Sequence, residues 1–306
     1  MTANVSILLA TYQGERFLSE QLETLLVQTY QDWRLYVSDD GSTDRTLEIV
    51  SDFACVSSHG VKIMQGPGEG FLQNFMHLLA SVPDTSEYFA FCDQDDRWVP
   101  DKLERAVNWL NAQPTDCALL YCTRTRSINE SNNELGFSPL FMRAPSFSNA
   151  LVQSIAGGNT MVINRKMLKL IRAIGTDYEV PSHDWWLYII ATGAGGHVKY
   201  DHEPSVDYRQ HDRNQVGANL TFRARVKRLR MLASGRFKCW NDQHVAALER
   251  CEQILSPENK IVFRHFKAMR CSRFPQNLKH MYLGRFHRQT FAGNLGLLAG
   301  VVLRKI

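Results

Sequence analysis

The first hundred residues alternate between short apolar runs and segments with helical spacing, and this alternation constrains the fold more than any other feature. Residues 5–10 form a largely apolar run that is too short for a stable helix, and the leucines that follow recur at three- and four-residue intervals. The same pair of signals repeats until residue 92. Strands that alternate with helices form a mostly parallel sheet covered by helices on both faces. The sequence therefore predicts an α/β fold with a Rossmann-like sheet.

Polar clusters follow three of the predicted strands at the point where each strand ends. They occupy residues 11–15, 39–40 and 93–96. Ligands of open α/β sheets bind beyond the carboxyl ends of the strands. We therefore expect these three loops to converge on one edge of the sheet and to form the functional site there.

The second half of the chain is less regular. Residues 125–145 are rich in Asn, Ser and Pro and are typical of a loop or flap. A short strand is predicted at 160–163, a helix at 184–191, and two short strands near 197–200 and 205–209. From residue 222 the pattern is helical. We predict a catalytic domain over residues 1–220 and a basic helical region over residues 221–306.

The charge distribution supports that division. The net charge is +4, but residues 222–306 hold 18 Lys and Arg against 4 Asp and Glu. Such a basic region favours an anionic partner. The seven cysteines form no C-x-x-C pair, which favours free thiols in a reducing compartment. No apolar window approaches the roughly 18 residues of a membrane span; the closest, residues 291–303, is interrupted by Asn294.

Three carboxylates within four residues, Asp93, Asp95 and Asp96, are the chemical centre of the sequence. Their mutual repulsion is relieved by a divalent cation, and carboxylate ligands suit Mg²⁺ or Mn²⁺ shared with substrate phosphates. Such a metal neutralises charge on a departing diphosphate. The alternative is a solvated acidic turn before the helix that follows Pro100. The cluster alone does not decide between the two.

Further motifs accompany the cluster in a fixed order. They are ATYQGE at 10–15, SDDGSTD at 38–44, DQDDRWVP at 93–100, GGN at 157–159 and HDWW at 183–186. This ordered set, spread over roughly residues 3–215, resembles glycosyltransferase family 2, whose members have the GT-A fold. The DQDD-x-W-x-P form and the YRQH sequence at 208–211 look like the rhamnosyltransferase-type branch. Each motif alone is weak, and the resemblance depends on their common order.

The resemblance implies a donor nucleotide site. Thr11, Tyr12 and Glu15 would flank the base and ribose, and Asp93 would contact the ribose or the donor sugar. Asp39 would accept a hydrogen bond from the N3–H group of uracil or thymine, which cytosine lacks. The alternative for Asp39 is a tight turn that caps the next helix.

The resemblance also implies a metal site. Asp95 would coordinate Mn²⁺ or Mg²⁺, with Asp96 as a neighbouring or water-mediated ligand. His211 would be a third metal ligand or would bind the donor diphosphate, although a lone histidine is often structural. Arg209 and Arg213 are further candidates for contact with the phosphates.

Asp184 is the candidate general base by the same resemblance. In an inverting transfer one carboxylate takes the proton of the acceptor hydroxyl as it attacks opposite the diphosphate. His183 departs from the family pattern, which often has an acidic residue there. The alternative for Asp184 is a carboxylate favoured by the helix dipole. Trp185 and Trp186 would either stack on an acceptor sugar or pack in the core.

The basic region favours an anionic membrane surface, because residues 222–232 read as an amphipathic basic helix. A helical subdomain packed on the catalytic domain is the alternative. No motif supports a nucleic-acid partner. A cytoplasmic enzyme, peripheral at the inner face of the cell membrane, would suit a lipid-linked glycan acceptor.

The sequence thus predicts an inverting, metal-dependent glycosyltransferase of polysaccharide or lipopolysaccharide biosynthesis. Its donor would be dTDP-rhamnose, or alternatively a UDP-hexose or UDP-N-acetylhexosamine. Nucleotidyl transfer is disfavoured, because the loop at 11–16 has one glycine rather than a basic Gly-rich triphosphate loop. A non-catalytic scaffold that binds nucleotide sugars is the remaining alternative.

Overall fold

The structure is a computed structural model that describes residues 4–211 and 235–306. Strands and helices alternate through its first hundred residues, as the sequence predicts. The strands are β1 (Val5–Thr11), β2 (Trp33–Asp39), β3 (Val61–Gln65), β4 (Tyr88–Asp93), β5 (Arg97–Trp98), β6 (Leu119–Ile128), β7 (Glu134–Phe137), β8 (Val162–Asn164) and β9 (His197–Arg209). The helices of the same part are α1 (Leu18–Leu26), α2 (Thr46–Val56), α3 (Phe71–Ser81), α4 (Lys102–Asn111), α5 (Phe147–Ala150), α6 (Arg165–Ile174) and α7 (His183–Gly193).

The strands of the described residues join in one mixed sheet of order β3-β2-β1-β4-β8-β6-β9-β5, and β7 pairs with β6 outside this path. Strands β1 to β4 are parallel where they pair, and β8 runs antiparallel to both β4 and β6. Because β1 lies between β2 and β4, the loops that follow these three strands leave the sheet side by side. This is the edge that the sequence predicts for the site.

Two apolar clusters cover the two faces of the sheet. Ile7 and Leu9 of β1 point into a cluster with α1, α2 and α4, whereas Leu8 points into a second cluster with α3, α6 and α7. Successive side chains of a strand face opposite sides, so a sheet covered on both faces needs continuously apolar strands. This requirement explains why β1 is apolar on both faces apart from Ser6 and the terminal Thr11.

The middle of the chain is more ordered than the sequence indicates. Strand β6 continues to Ile128 and forms a hairpin with β7, so the loop predicted at 125–145 begins with strand. The two strands predicted near 197–200 and 205–209 are one strand, β9. The register of β6 with β9 shifts between Thr123, which pairs with Asp201, and Thr125, which pairs with Val206. The strand predicted at 160–163 begins at Val162, after a 3₁₀ turn.

The described C-terminal region is helical, as predicted. Its helices are α8 (Arg236–Arg250), α9 (Pro257–Cys271), α10 (Gln276–Leu283) and α11 (Phe291–Val302). They attach to the α5 segment, where the Ser148 hydroxyl donates to the Gly284 carbonyl at 2.7 Å and the Asn149 amide donates to the His287 carbonyl at 2.9 Å. The predicted basic helix at 222–232, Arg213 and the predicted domain boundary lie outside the described residues. No helix among the described residues has the length and apolar character to cross a membrane.

Candidate active site

The register of the sheet brings the predicted site residues together. Thr11 pairs with Asp39 across β1 and β2, and Ala10 pairs with Asp93 across β1 and β4. All three strands end here, so their polar side chains meet at one edge, as predicted from the sequence. The Thr11 hydroxyl donates to Asp39 Oδ2 at 2.8 Å and is itself buried.

Asp39 organises the turn after β2. Its Oδ1 accepts from the backbone of Gly41 at 3.2 Å and of Ser42 at 2.8 Å. Its Oδ2 accepts the Thr11 bond and one from the Ser42 hydroxyl at 2.6 Å. These four bonds occupy the acceptor positions of a carboxylate, which fits the tight-turn alternative. A nucleobase reaches Asp39 only by displacing one of them, so its contact with a nucleotide stays a prediction.

Gln94, which lies within the acidic cluster after β4, holds the loop that follows β1. The sequence analysis did not identify this residue. Its side-chain amide accepts from the Tyr12 nitrogen and donates to the Tyr12 carbonyl, both at 2.9 Å. This paired contact fixes the backbone and leaves the Tyr12 ring exposed at the site edge. A side chain at Gly14 would overlap the Gln94 amide, which explains the glycine. The Tyr12 ring is therefore accessible, and its contact with a base stays a prediction.

Glu15 ties the first loop to the start of α2. The Glu15 nitrogen donates to Asp44 Oδ2 at 3.1 Å, and Glu15 Oε2 accepts from the Arg45 nitrogen at 3.2 Å. The side chain is exposed. In the structure Glu15 therefore holds two loops together, and its predicted contact with base or ribose remains untested.

The carboxylate of Asp40 holds the glycine-rich loop that precedes α3. It accepts from the backbone of Gly68 and of Gly70, each at 2.7 Å. Both glycines have positive φ angles, of 75° and 90°, which side-chain-bearing residues rarely adopt. Asp40 thus fixes the shape of a loop on the same edge of the sheet.

Three carboxylates interact electrostatically at this edge. Burial, followed by the neighbouring charges of Asp95 and Asp184, raises the pKa of Asp93 to about 7. Asp184 lies at the start of α7 next to His183, whose ring is 5.6 Å from that of Phe91 in β4, so the first turn of α7 lies near the end of β4. Like charges held together without a cation are costly. The site is therefore suited to a positively charged or proton-donating ligand.

The side chains of Asp95 and His211, the two predicted metal ligands, are in contact. His211 Nε2 lies 2.8 Å from Asp95 Oδ2, and the imidazole packs against Phe17 at 5.3 Å between ring centroids. Among residues 4–211 and 235–306 no three His, Cys, Asp or Glu side chains are close enough to enclose a metal ion. One carboxylate and one imidazole fit a cation that takes its other ligands from waters and diphosphate oxygens, as Mg²⁺ and Mn²⁺ often do.

Asp96 does not fit its predicted role as a metal ligand. Its side chain is fully buried and accepts from the Asn159 amide and from the Arg209 nitrogen at 3.1 Å. Lys102 is buried next to it and donates to the Asn159 carbonyl at 2.8 Å. Burial lowers the pKa of Lys102 to about 7 and raises that of Asp96 well above its usual range. Asp96 is thus a structural link between the DQDD segment, the GGN motif and β9.

Arg209 is also structural rather than a phosphate ligand. Its guanidinium is buried, pairs with Glu20 at 2.5 Å and donates to Asn132 Oδ1 at 2.7 Å. It also donates to the backbone carbonyl of Asp95 at 3.0 Å. Arg209 therefore holds the backbone beneath the predicted metal ligand, two residues before His211.

Asp184 lies in the first turn of α7 with one oxygen committed and one available. Its Oδ1 accepts from the Ser182 hydroxyl and from the Trp185 nitrogen at 2.6 Å. Among residues 4–211 and 235–306 no hydrogen bond or ion pair engages Oδ2, which is therefore the oxygen that can take a proton. The helix-start alternative and the base role are compatible, because they use different oxygens.

The residues around Asp184 are core residues, which corrects the predicted acceptor contact of Trp185 and Trp186. Trp186 is fully buried, and the Trp185 indole donates to the Ala150 carbonyl at 2.6 Å. His183 is buried between Phe75 and Phe91 at centroid distances of 4.2 and 5.6 Å. No side chain of this group offers an open face to a sugar, because α7 is buried almost all round.

Comparison with known proteins decides the family. Residues 6–172 match glycosyl transferase family 2. The chain belongs to glycosyl transferase family 2. It is 30% identical over 235 residues to the dTDP-rhamnosyl transferase RfbG of Shigella flexneri, an alignment that covers 72% of this chain and 78% of that protein. The family resemblance expected from the ordered motifs is thereby confirmed, and the protein is a glycosyltransferase.

Solved structures confirm the fold of this glycosyltransferase. Staphylococcus aureus TarS 1–349 in complex with UDP superposes with a TM-score of 0.57 at 14% identity, covering 90% of this chain and 77% of that one. Mannosyltransferase PcManGT from Pyrobaculum calidifontis in complex with GDP-Man and Mn²⁺ gives 0.51 at 18% identity, covering 100% and 86%. The predicted GT-A fold is therefore confirmed.

Proposed function

We propose that this glycosyltransferase moves a sugar, with inversion, from a nucleoside diphosphate donor to a hydroxyl of a glycan or lipid-linked glycan. The observation that carries the proposal is the 2.8 Å contact of Asp95 with His211 at the carboxyl edge of the sheet, where the charges of Asp95 and Asp184 both act on Asp93. It supplies a diphosphate-facing carboxylate and a separate proton acceptor within one site.

The residues have separate roles in the proposed reaction. Tyr12 would stack on the base and Thr11, Glu15 and Asp39 would border the nucleotide, whereas Asp93 would bind the ribose or donor sugar. Asp184 Oδ2 would take the proton of the acceptor hydroxyl. The acceptor oxygen then forms the new bond to the anomeric carbon, and the bond to the diphosphate breaks with its electron pair on the departing oxygen.

Asp95 and His211 would hold Mn²⁺ or Mg²⁺. The ion, when bound, would neutralise negative charge on the departing diphosphate. The 2.8 Å contact between the two side chains supports a shared ligand at this position. PcManGT, which has the same fold, has been solved in complex with GDP-Man and Mn²⁺.

Rhamnose from dTDP-rhamnose is the donor that we propose first, because a named dTDP-rhamnosyl transferase covers most of the chain at 30% identity. A UDP-hexose or UDP-N-acetylhexosamine donor is the alternative, supported by the shared fold of TarS, a structure of which holds UDP-GlcNAc. Other relatives are named for succinoglycan and teichuronic acid biosynthesis. We therefore propose a role in polysaccharide or lipopolysaccharide assembly at the cytoplasmic face of the membrane.

A transfer assay tests the proposal. Labelled dTDP-rhamnose, UDP-glucose and UDP-N-acetylglucosamine are each incubated with Mn²⁺, protein and a lipid-linked glycan extract, and label in the glycolipid is counted. We expect transfer from one donor, reduced about a hundredfold or more by Asp184→Asn. Asp52→Asn, an exposed acid on α2, is the control and should be fully active. A cellular role that persists in the Asp184 and Asp95 variants would instead identify a non-catalytic scaffold.

A further inference from the structure

The outer face of α11 is apolar without interruption. Its inner side is fixed by the Asn277 amide, which donates to the Val301 carbonyl at 2.9 Å, and by buried Leu297 and Val301. Helices at a water-exposed surface normally present polar residues outward. Here every exposed residue of the helix is apolar, namely Phe291, Ala292, Leu295, Leu298, Ala299 and Val302.

Helix α10 extends this face. Tyr282 is 83% exposed, and Leu283 beside it is exposed as well. Leu278, Tyr282 and Leu298 line one shallow groove between the two helices. Together with the outer side of α11 these residues form a continuous apolar surface, here called the α10–α11 face. A surface of this kind on a folded domain marks a binding site.

Positive charge surrounds the α10–α11 face. Arg143 and Arg285 line its groove, and the exposed side chains of Lys279, Arg304 and Lys305 lie on the same helices or directly after them. Residues 259–306 hold ten Lys and Arg and no Asp or Glu. An apolar surface with a cationic border is complementary to an anionic, amphipathic partner.

We propose that the α10–α11 face docks on an anionic lipid bilayer. The apolar side chains would enter the boundary between headgroups and acyl chains, where Tyr282 and Phe291 are favourably placed, and the surrounding cations would meet the anionic headgroups. A second copy of the chain is a poor occupant, because it would bring two strongly cationic stretches together without a counter-charge. The amphipathic character thus selects a lipid surface.

The C-terminal helices connect the α10–α11 face to the candidate base. Gln289 Oε1 accepts from the Arg143 nitrogen at 3.1 Å, and His287 accepts from Asn149 of α5. The Ala150 carbonyl of α5 in turn accepts the indole bond of Trp185, the neighbour of Asp184. The segment that carries the α10–α11 face is therefore packed against the element that supports Trp185, next to the candidate base. Membrane docking itself does not rest on the proposed function.

Vesicle sedimentation of the full chain tests the proposal. The protein is mixed with phosphatidylcholine vesicles that contain about one third phosphatidylglycerol or none. We expect binding to the anionic vesicles that is weakened at least about tenfold in Phe291→Gln, Leu295→Gln, Leu298→Gln, because apolar burial is lost. Lys279→Gln, Arg285→Gln should weaken it less and reduce its salt dependence. The control is a second triple variant, in which three exposed apolar residues of the catalytic part are replaced: Val27→Gln, Leu47→Gln and Val56→Gln. It should bind the anionic vesicles as the unaltered protein does.

Three results would overturn the proposal: no binding of the unaltered protein to anionic vesicles, equal binding by the triple variant, or equal loss in the control. A fourth contradicting result would come from light scattering. If the unaltered protein is a dimer and the triple variant is a monomer, the α10–α11 face is a protein interface and not a membrane-binding surface. Calorimetric binding of dTDP and UDP to the same variants should be unchanged. Failure of membrane docking is thereby distinguishable from failure of the donor site.

Discussion

Replacing the buried His183 by leucine should remove a large part of the acid sensitivity of the fold. The imidazole lies between Phe75 and Phe91, and neither ring nitrogen has a hydrogen-bond partner within the described chain. Burial lowers the pKa of His183 to about 4, from 6.5 in the unfolded chain, and the charge of Asp184 only partly opposes this shift. The unfolded state therefore binds a proton at a pH where the folded state does not.

The sign and size follow from proton linkage. Because the folded pKa lies below the unfolded pKa, the stability is complete above about pH 6.5 and decreases as pH falls towards 4. Between pH 7 and pH 5 this single group removes about 2 kcal/mol from the free energy of unfolding. The variant has no titrating group at this position and should lose about 2 kcal/mol less over the same range.

Urea unfolding at pH 7 and pH 5 measures the difference. The comparison cancels any constant effect of the leucine on packing, since only the change with pH is used. His202→Leu, at an exposed position, is the matched control and should behave as the unaltered protein. An identical pH dependence in His183→Leu and the unaltered protein would refute the assignment of His183 to an unprotonated, buried state.

Further substitutions test the packing around the site. Gly158→Ala should destabilise the fold by about 1–3 kcal/mol in thermal unfolding, because its new Cβ would overlap the His183 ring. The control Gly60→Ala meets only the Arg34 side chain and should not destabilise the fold. Equal melting temperatures of the two variants would contradict this prediction. Arg209→Met should cost about 2 kcal/mol or more in urea unfolding, because buried acceptors such as the Asp95 carbonyl lose their donor. A fully stable variant would show that Arg209 does not support this backbone. Gln94→Ala should release the Tyr12 loop, measured as faster amide exchange at Tyr12 with α2 unchanged.

The convergence of the site could be predicted from sequence because it depends on local patterns. Thr11, Asp39 and Asp93 each follow an apolar strand, and parallel strands deliver their carboxyl ends to one edge. The approach of Asp184 could not be derived this way, since α7 reaches the edge only through the packing of the whole sheet. That residue was placed by resemblance to the family.

Two misinterpretations have physical reasons. The burial of Trp185 and Trp186 was indicated by the unbroken apolar run at 185–191, because a helix that is apolar all round is normally buried. The structural roles of Asp96 and Arg209 left no such signal. Their partners, Asn159 and Glu20, lie 63 and 189 residues away in sequence, so charged side chains appeared available for ligands although the fold uses them internally.

Calorimetry of nucleotide binding tests the central claim most directly. Titrations of dTDP and UDP, each with and without Mn²⁺, are made into the unaltered protein and into Asp95→Ala. We expect one nucleotide to bind in a metal-dependent manner, and we expect the variant to weaken this binding at least about tenfold, through loss of a carboxylate ligand. Binding that needs neither Mn²⁺ nor Asp95, or no binding of either nucleotide with metal present, would contradict this expectation.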